Sequence, residues 1–347
     1  MRMGTQGAVA DATTTEATTR ATTQSVNAEG EGFPDDGSVV AKQATPSHAS
    51  LPADTHGAVI IPAHNEAGVI ARTLTALAPL AALEGVEVIV VCNGCQDDTA
   101  SIARRFAGVT VLETDRGSKP LALNLGDAAA HGWPRLYLDA DIDIEPAAVA
   151  AVFGALAEPD VLAARARYVY DVGGASWPVR AYYRARSRIP APPRRLWGAG
   201  GYATGEAGHR RFGEFAEVTA DDSWFDEQFE TAEKRVVPTP PMRVRTPRTA
   251  SSLLAVLTRQ RRGYVEIGIA SHASTRSREL LKSVRGPVSA VDAAWYALFT
   301  VVSRRRAERA RRASEQRWER DGSSRVADGA SPAKPDEPSL RREAGEN

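Results

Sequence analysis

The chain has 347 residues, with 43 basic and 43 acidic side chains, two cysteines and a 43% hydrophobic fraction. That apolar content supports a real core and excludes a wholly disordered protein, and the zero formal charge argues against a general nucleic-acid binder. Two cysteines exclude a disulfide-rich scaffold, and no uninterrupted apolar run reaches the ~18 residues of a membrane span.

In chain order, residues 1–56 come first, rich in Thr, Ala, Gly and acids with few large apolar side chains. Such a segment cannot offset its ordering entropy by burial, so a disordered tail is expected. It holds no apolar stretch of the ~7–15 residues that mark a signal peptide, and a soluble, cytoplasmic protein is the expectation. Ala58-Val59-Ile60-Ile61, ending at Pro62, reads as a buried strand. Val69, Ile70, Leu74, Leu77 and Leu80 recur at helical spacing. Val86–Val91 is a second strand, and Ile102, Ala103 and Phe106 line a second helix. Val109–Leu112 is a third strand, followed by a helix over 121–130. Leu136-Tyr137-Leu138 is a fourth strand running into Asp139. A helix over 147–156 follows, with Pro146 suited to its first turn. Residues 322–347 again mix Gly, Ser, Pro and charge as a second disordered tail.

Strands alternating with short helices imply an α/β protein with a doubly wound, mostly parallel sheet. Ligands of such sheets bind at the carboxyl ends of the strands. Polar clusters stand at those ends here: His64-Asn65-Glu66, Asn93 to Asp98, Arg116 to Lys119, and Asp139 to Asp143. Asp139, Asp141 and Asp143 alternate, so an extended backbone would point them one way. Oxygen-only ligands suit Mg²⁺ or Mn²⁺. An acidic turn capping the next helix gives the same pattern. Arg116-Gly117-Ser118-Lys119 offers charge and close backbone approach to an anion, or is a solvated turn. Cys92 and Cys95 flank a strand-to-helix turn, where a thiol–disulfide module would also hold its pair. His131 and His209 read as surface residues.

Several of these segments resemble family 2 glycosyltransferases, which have the GT-A fold. Val59–Glu66 resembles that family's opening strand and turn, and Val90–Thr99 its second strand end. Gly117-Ser118-Lys119 leading to Leu123-Asn124 resembles its lysine-and-asparagine helix. Leu138-Asp139-Ala140-Asp141 resembles its Asp-x-Asp motif, Gly200-Gly201-Tyr202 its acceptor loop, and Ala220-Asp221-Asp222 its catalytic acidic pair. The resemblance implies a GT-A domain over 57–265 and a helical extension over 266–321.

It also implies an inverting transfer of one sugar from a UDP- or GDP-linked donor to a glycan, lipid-linked or small-molecule acceptor. Pro62, Ala63, Asn65 and Glu66 would line the nucleoside pocket, with Asn93 and Asp97 at the base and ribose. Lys119 and Asn124 would lie near the base or diphosphate. Asp139, Ala140 and Asp141 would meet the ribose, metal and diphosphate, with Asp139 and Asp141 as ligands of Mg²⁺ or Mn²⁺. Gly200, Gly201 and Tyr202 would face the acceptor. Asp222 would be the base, supported by Asp221; without the resemblance, these two read as a helix cap. Two departures stand out. Cys92-Asn93 replaces a common pair of aspartates, and Gly263 follows Arg259-Gln260-Arg261-Arg262 where processive synthases carry tryptophan. The rivals are a redox module on Cys92 and Cys95, a non-catalytic sugar-nucleotide binder, and a nucleotidyltransferase. The last would need a glycine-rich loop where Ala63-His64-Asn65-Glu66 stands.

Farther on, Val288, Val291, Trp295, Leu298 and Val302 step by three and four, with Asp292 off the stripe. Arg304, Arg305, Arg306, Arg309, Arg311 and Arg312 follow. Such a helix either packs on the domain or lies on the inner face of an anionic membrane, making 288–312 a candidate peripheral contact.

Overall fold

The computed structural model describes residues 38–40, 51–268 and 273–312. β1 (Ser38–Val40) falls inside the segment expected to be disordered. The remainder of that segment up to residue 50, and the expected tail at 322–347, lie outside the described residues.

The apolar run at 58–61 forms the middle of β2 (Gly57–Ala63), which is buried along its whole length. Because successive side chains of a strand point to opposite faces, both faces must be covered. Val59 and Ile61 meet Ile70, Leu74, Leu77 and Leu80 of α1 (Ile70–Ala81). Ala58 and Ile60 join a second cluster that includes Ala122 and Leu123. β3 (Val86–Asn93), α2 (Thr99–Ala103), β4 (Val109–Thr114) and α3 (Lys119–Ala129) continue the alternation. α3 begins cleanly, with the Ser118 side chain accepting from the Leu121 N–H at 3.2 Å and Pro120 in the first turn. β5 (Arg135–Leu138) and α4 (Pro146–Ala155) complete the expected first half.

Strands β4, β3, β2 and β5 lie side by side in that order, all parallel. The chain leaves β2 for one neighbour and later returns on its other flank. This makes a switch point, where a crevice opens outside the strand ends. β6 (Ala163–Asp171), α5 (Trp177–Ser187) and β7 (Gly201–Thr204) extend the sheet, with β7 antiparallel to both β5 and β6. α6 (Glu206–His209) and α7 (Asp221–Asp226) are short. β8 (Lys234–Arg245) pairs parallel with β6, as does β1. The doubly wound, mostly parallel sheet expected from the sequence is therefore present.

α8 (Ala250–Glu266), α9 (Ala273–Lys282) and α10 (Pro287–Arg312) form the C-terminal helices. α10 does pack on the domain, but not through the anticipated stripe. Its buried face is Asp292, Ala293, Tyr296, Phe299 and Ser303, while Val288, Val291, Leu298 and Val301 stay exposed. Tyr296 stacks on Tyr182 of α5 at 5.1 Å. Asp292 is fully buried and receives Arg184 at 2.6 Å and Arg188 at 3.0 Å. Counting apolar residues missed this face because its anchor is a carboxylate. Among the described residues, no helix is long and apolar enough to cross a membrane.

Burial alone would raise the Asp292 carboxyl, but hydrogen bonds from Arg184 and Arg188 outweigh it and hold the group below the ordinary aspartate range. Stability from a depressed carboxylate is present at neutral pH and lost as pH falls through its folded-state value. Asp292→Ala should therefore cost roughly 2–3 kcal/mol at pH 7, discounted because both arginines are partly exposed. Urea melts should show that deficit shrinking below about pH 4. An equal deficit at pH 7 and pH 3 would rule out the ion pair as the cause.

Candidate active site at the strand ends

The four polar strand ends meet along one rim, and two connected groups of side chains occupy it. The first joins β2 to β3. Asn65 adopts a left-handed backbone (φ 52°), and its side-chain carbonyl accepts from the Gln96 N–H at 2.7 Å. The Asp97 carboxylate accepts from the N–H groups of Ala67 and Thr99, both at 3.1 Å. The Glu66 N–H donates to the Thr99 hydroxyl at 2.8 Å. Asn93 is buried, and its amide donates to the Ala63 carbonyl at 2.9 Å. His64 bonds the Asn93 carbonyl. Pro62 and Ala63 are buried within β2, so only their backbone edge reaches the rim. The Cys95 thiol donates to the Ala63 carbonyl at 3.4 Å, and both cysteines are free thiols. A hydrogen bond from Cys92 draws the Cys95 thiol down to about 6, while Cys92 itself is pushed up.

The second group surrounds Lys119, the first residue of α3. Its ammonium lies 2.7 Å from Asp139 at the end of β5 and 2.8 Å from Asp221 at the start of α7. Burial pushes the lysine down, but the two carboxylates more than offset it, so it stays charged well above the ordinary lysine range. Tyr202 donates to the same Asp221 at 2.7 Å. Asp222 points the other way, accepting from the Gly198 N–H and its neighbour's N–H, both at 2.7 Å. Burial, then the charge of Asp221, raises the Asp222 carboxyl above the ordinary aspartate range.

Gly200 closes the arrangement. Its carbonyl accepts from the Asp139 N–H at 2.7 Å, its φ is +71°, and an added Cβ would meet Ile142 at 2.5 Å. No other residue fits there without displacing the acidic loop. Gly201 follows it as the first residue of β7.

The structure redistributes several expected roles. Asp143 does not join the cluster of Asp139 and Asp141. It pairs with Arg72 of α1 at 2.5 Å and lies 3.6 Å from Arg245, and a backbone bridge to Arg243 turns it aside. Asp141 is half-buried on the loop after β5, and its carbonyl accepts from Arg72 at 3.1 Å. Ala140 is buried, with Thr73 donating to its carbonyl at 2.7 Å. Both ends of the Asn124 amide are taken by the Phe215 backbone, at 2.7 and 3.1 Å. Tyr202 is a core residue among Tyr137, Phe215 and Phe225. His209, expected on the surface, is nearly buried and bonds Asp127 at 3.0 Å. Asp127 also holds Arg135 and Tyr137. Sequence reading missed Arg72 and the Gly198 N–H, because nothing local in either segment signals a partner 71 or 24 residues away.

Parallel strands whose carboxyl ends gather acids and one lysine at a switch point define a candidate ligand site of the doubly wound α/β class. Residues 58–212, somewhat under half of the chain, match the profile of glycosyl transferase family 2. No curated relative matches the chain. Among solved structures, it is similar to a mannosyltransferase from Pyrobaculum calidifontis in complex with GDP-Man and Mn²⁺. Identity is 20%, over 78% of this chain and 80% of that one, with a TM-score of 0.47. Glucosyl-3-phosphoglycerate synthase from Mycobacterium tuberculosis, solved with Mn²⁺, UDP and glucosyl-3-phosphoglycerate, gives 20%, 63%, 82% and 0.43 on the same measures. S. aureus TarS with UDP-GlcNAc gives 15%, 75%, 92% and 0.44.

Lys119→Met removes the one ammonium that Asp139 and Asp221 share. The carboxylates are then left to repel one another, a repulsion that salt screens. Thermal melts from low to high ionic strength should show the deficit of Lys119→Met narrowing as salt rises. A deficit independent of salt would mean that the lysine contributes packing alone.

Proposed function

We propose that the chain moves one sugar from a nucleoside-diphosphate sugar, UDP- or GDP-linked, to an acceptor hydroxyl with inversion. The observation that carries this reading is the Lys119 bridge between Asp139 and Asp221, with Asp222 beside it. One element brings the diphosphate side and the acid pair into a single electrostatic unit. Asp222, its carboxyl raised by burial and by Asp221, is the base. It takes the acceptor hydroxyl proton as that oxygen attacks the anomeric carbon. The bond to the nucleoside diphosphate breaks from the opposite face, and its electron pair leaves with the diphosphate. Asp221, fixed by Lys119 and Tyr202, positions this carboxylate. The rim of Asn65, Glu66, Asn93 and Asp97 holds the nucleoside, largely through backbone edges that those side chains brace. Asn124 contributes by fixing the Phe215 segment.

The donor set suits a hard divalent cation. Asp139 and Asp141 offer only oxygen, and Asp139 and Asp221 share a single ammonium. Among the described residues, no group of three or more His, Cys, Asp or Glu could hold a metal ion. An ion held by Asp139 and Asp141 would therefore complete its ligands with water and donor diphosphate. Mg²⁺ or Mn²⁺, when bound, supplies positive charge to the leaving group.

A thermal-shift series over UDP- and GDP-sugars, with and without Mn²⁺, tests the donor. One donor should stabilise the protein only with metal; stabilisation by none would sink the reading. Asp222→Asn should keep donor binding and lose about 10²–10⁴-fold in transfer. The acid limb of kcat/KM in the parent should lie above 3.8, the ordinary aspartate value, because the raised carboxyl must deprotonate to act. Full transfer by Asp222→Asn would place the base elsewhere or leave a sugar-nucleotide binder.

The acceptor is a glycan, a lipid-linked sugar or a small molecule, and the chain works at the cytoplasmic membrane surface. Support comes from α10, where exposed Val288, Val291, Leu298 and Val301 continue into exposed Arg305, Arg306 and Arg309. An apolar stripe with adjacent cations suits anionic headgroups. The full chain should float with anionic vesicles at low salt and detach at high salt. No binding at low salt would remove the membrane from the proposal.

A further inference from the structure

Linked to Asp222 through the segment 195–198 is a group of arginines that the transfer step does not use. Arg186 of α5 donates to the Tyr170 hydroxyl at 2.8 Å, and Arg195 donates to the Tyr168 hydroxyl. The two phenols touch at 3.3 Å. Arg261 of α8 donates to Ser303 of α10 at 2.8 Å. Among the described residues, none of these three guanidiniums pairs with a carboxylate. Arg195 is buried, and its Nε has no hydrogen-bond partner.

Buried cations are ordinarily paired, because desolvating one is costly. Here phenols stand where carboxylates would be expected, and the surroundings register the surplus charge. Burial alone would raise Tyr170, yet Arg186 and Arg195 hold it below the ordinary phenol range. Arg261 is pushed down by burial and by Arg304. Contrast Arg184 and Arg188 one turn away, which share Asp292.

The group is connected to the base by a short stretch of chain. The Arg195 guanidinium lies over the Trp197 ring at 4.6 Å, and Trp197 meets Tyr264 of α8 at 6.3 Å. The next residue, Gly198, donates its N–H to Asp222. Burial, then the charge of Asp222, raises the Tyr264 phenol, so Asp222 is felt there too. Arg186, Arg261, Trp197, Tyr264 and Asp222 are all half-buried, so each keeps some access to solvent.

We infer that Arg186, Arg195 and Arg261 receive an anionic group, a phosphate or a carboxylate, carried by the acceptor whose hydroxyl meets Asp222. Guanidinium forks match both groups with paired hydrogen bonds. The anion supplies the negative charge that the phenols only partly replace, and it anchors the acceptor beside the base. This inference rests on the reading of Asp222 as the base.

The test uses the full chain with inorganic phosphate and acetate as probes, followed by calorimetry and thermal shift at constant ionic strength. Phosphate should bind saturably, and acetate more weakly for want of charge. Arg186→Gln and Arg261→Gln should each weaken phosphate about tenfold, with Arg186→Lys recovering part of the loss. Arg235→Gln, a surface arginine paired with Glu158, should change nothing. Using two half-exposed sites guards against one variant failing to fold. Phosphate affinity unchanged in both glutamine variants would overturn the inference. So would displacement of phosphate by saturating UDP with Mn²⁺, which would assign the arginines to the donor diphosphate. Unchanged phosphate affinity in the presence of bound UDP would support the acceptor assignment. If phosphate binds through these arginines while no nucleotide binds at all, the anion site is supported and the transferase reading is what falls.

Discussion

Three chain segments far apart in sequence end at a single ammonium group. Lys119 begins α3, Asp139 ends β5, and Asp221 begins α7. Without a cation between them, the acidic residues would repel and the segments bearing them would separate. With it, the end of the central sheet is tied to a helix that belongs to no strand of the first half. Tyr202 adds a neutral hydrogen bond to the same carboxylate from within the aromatic core. The site is thus built inward from charge and outward from packing, and the two meet at Asp221. Asp222 inherits its position from this, with two backbone N–H groups and the Ser223 hydroxyl as donors of its own.

The charge of the crevice is divided. Around the ends of β5 and α3 the balance is acidic, with Asp139 and Asp221 sharing Lys119. Around Arg186 and Arg195 it is basic, and phenols are the nearest groups that answer it. Asp222 stands beside the acidic region. Its protonation is set mainly by burial and by Asp221, with Lys119 and the Gly198 N–H opposing them.

The first half of the sheet was legible because β2, β3 and β5 are short apolar runs ending in polar residues, and period and punctuation agree there. The second half was not. β6 carries Arg165 fully buried in its middle, which reads as a surface position until the Arg195 carbonyl is found at 2.7 Å. β8 contains Pro238, Pro240 and Pro241, which normally argue against a strand. They are tolerated because β8 lies on an outer edge and slips register at that stretch, leaving the prolines exposed. Site residues followed the same division. Motif positions found the acids and Lys119, but a motif does not say whether an amide faces a ligand or a backbone. Asn124 is the clearest case, since its spacing from Lys119 matched while its hydrogen bonds went to Phe215.

Gly263 of α8 lies against the residue that begins the turn into α7. A Cβ at that position would lie 2.7 Å from the Ala220 side chain and 3.0 Å from its backbone nitrogen. α8 therefore touches the residue just before Asp221 with no side chain between them. Any larger side chain at 263 would force α8 or the acidic pair to shift, so this glycine sets how closely the helix approaches Asp221 and Asp222.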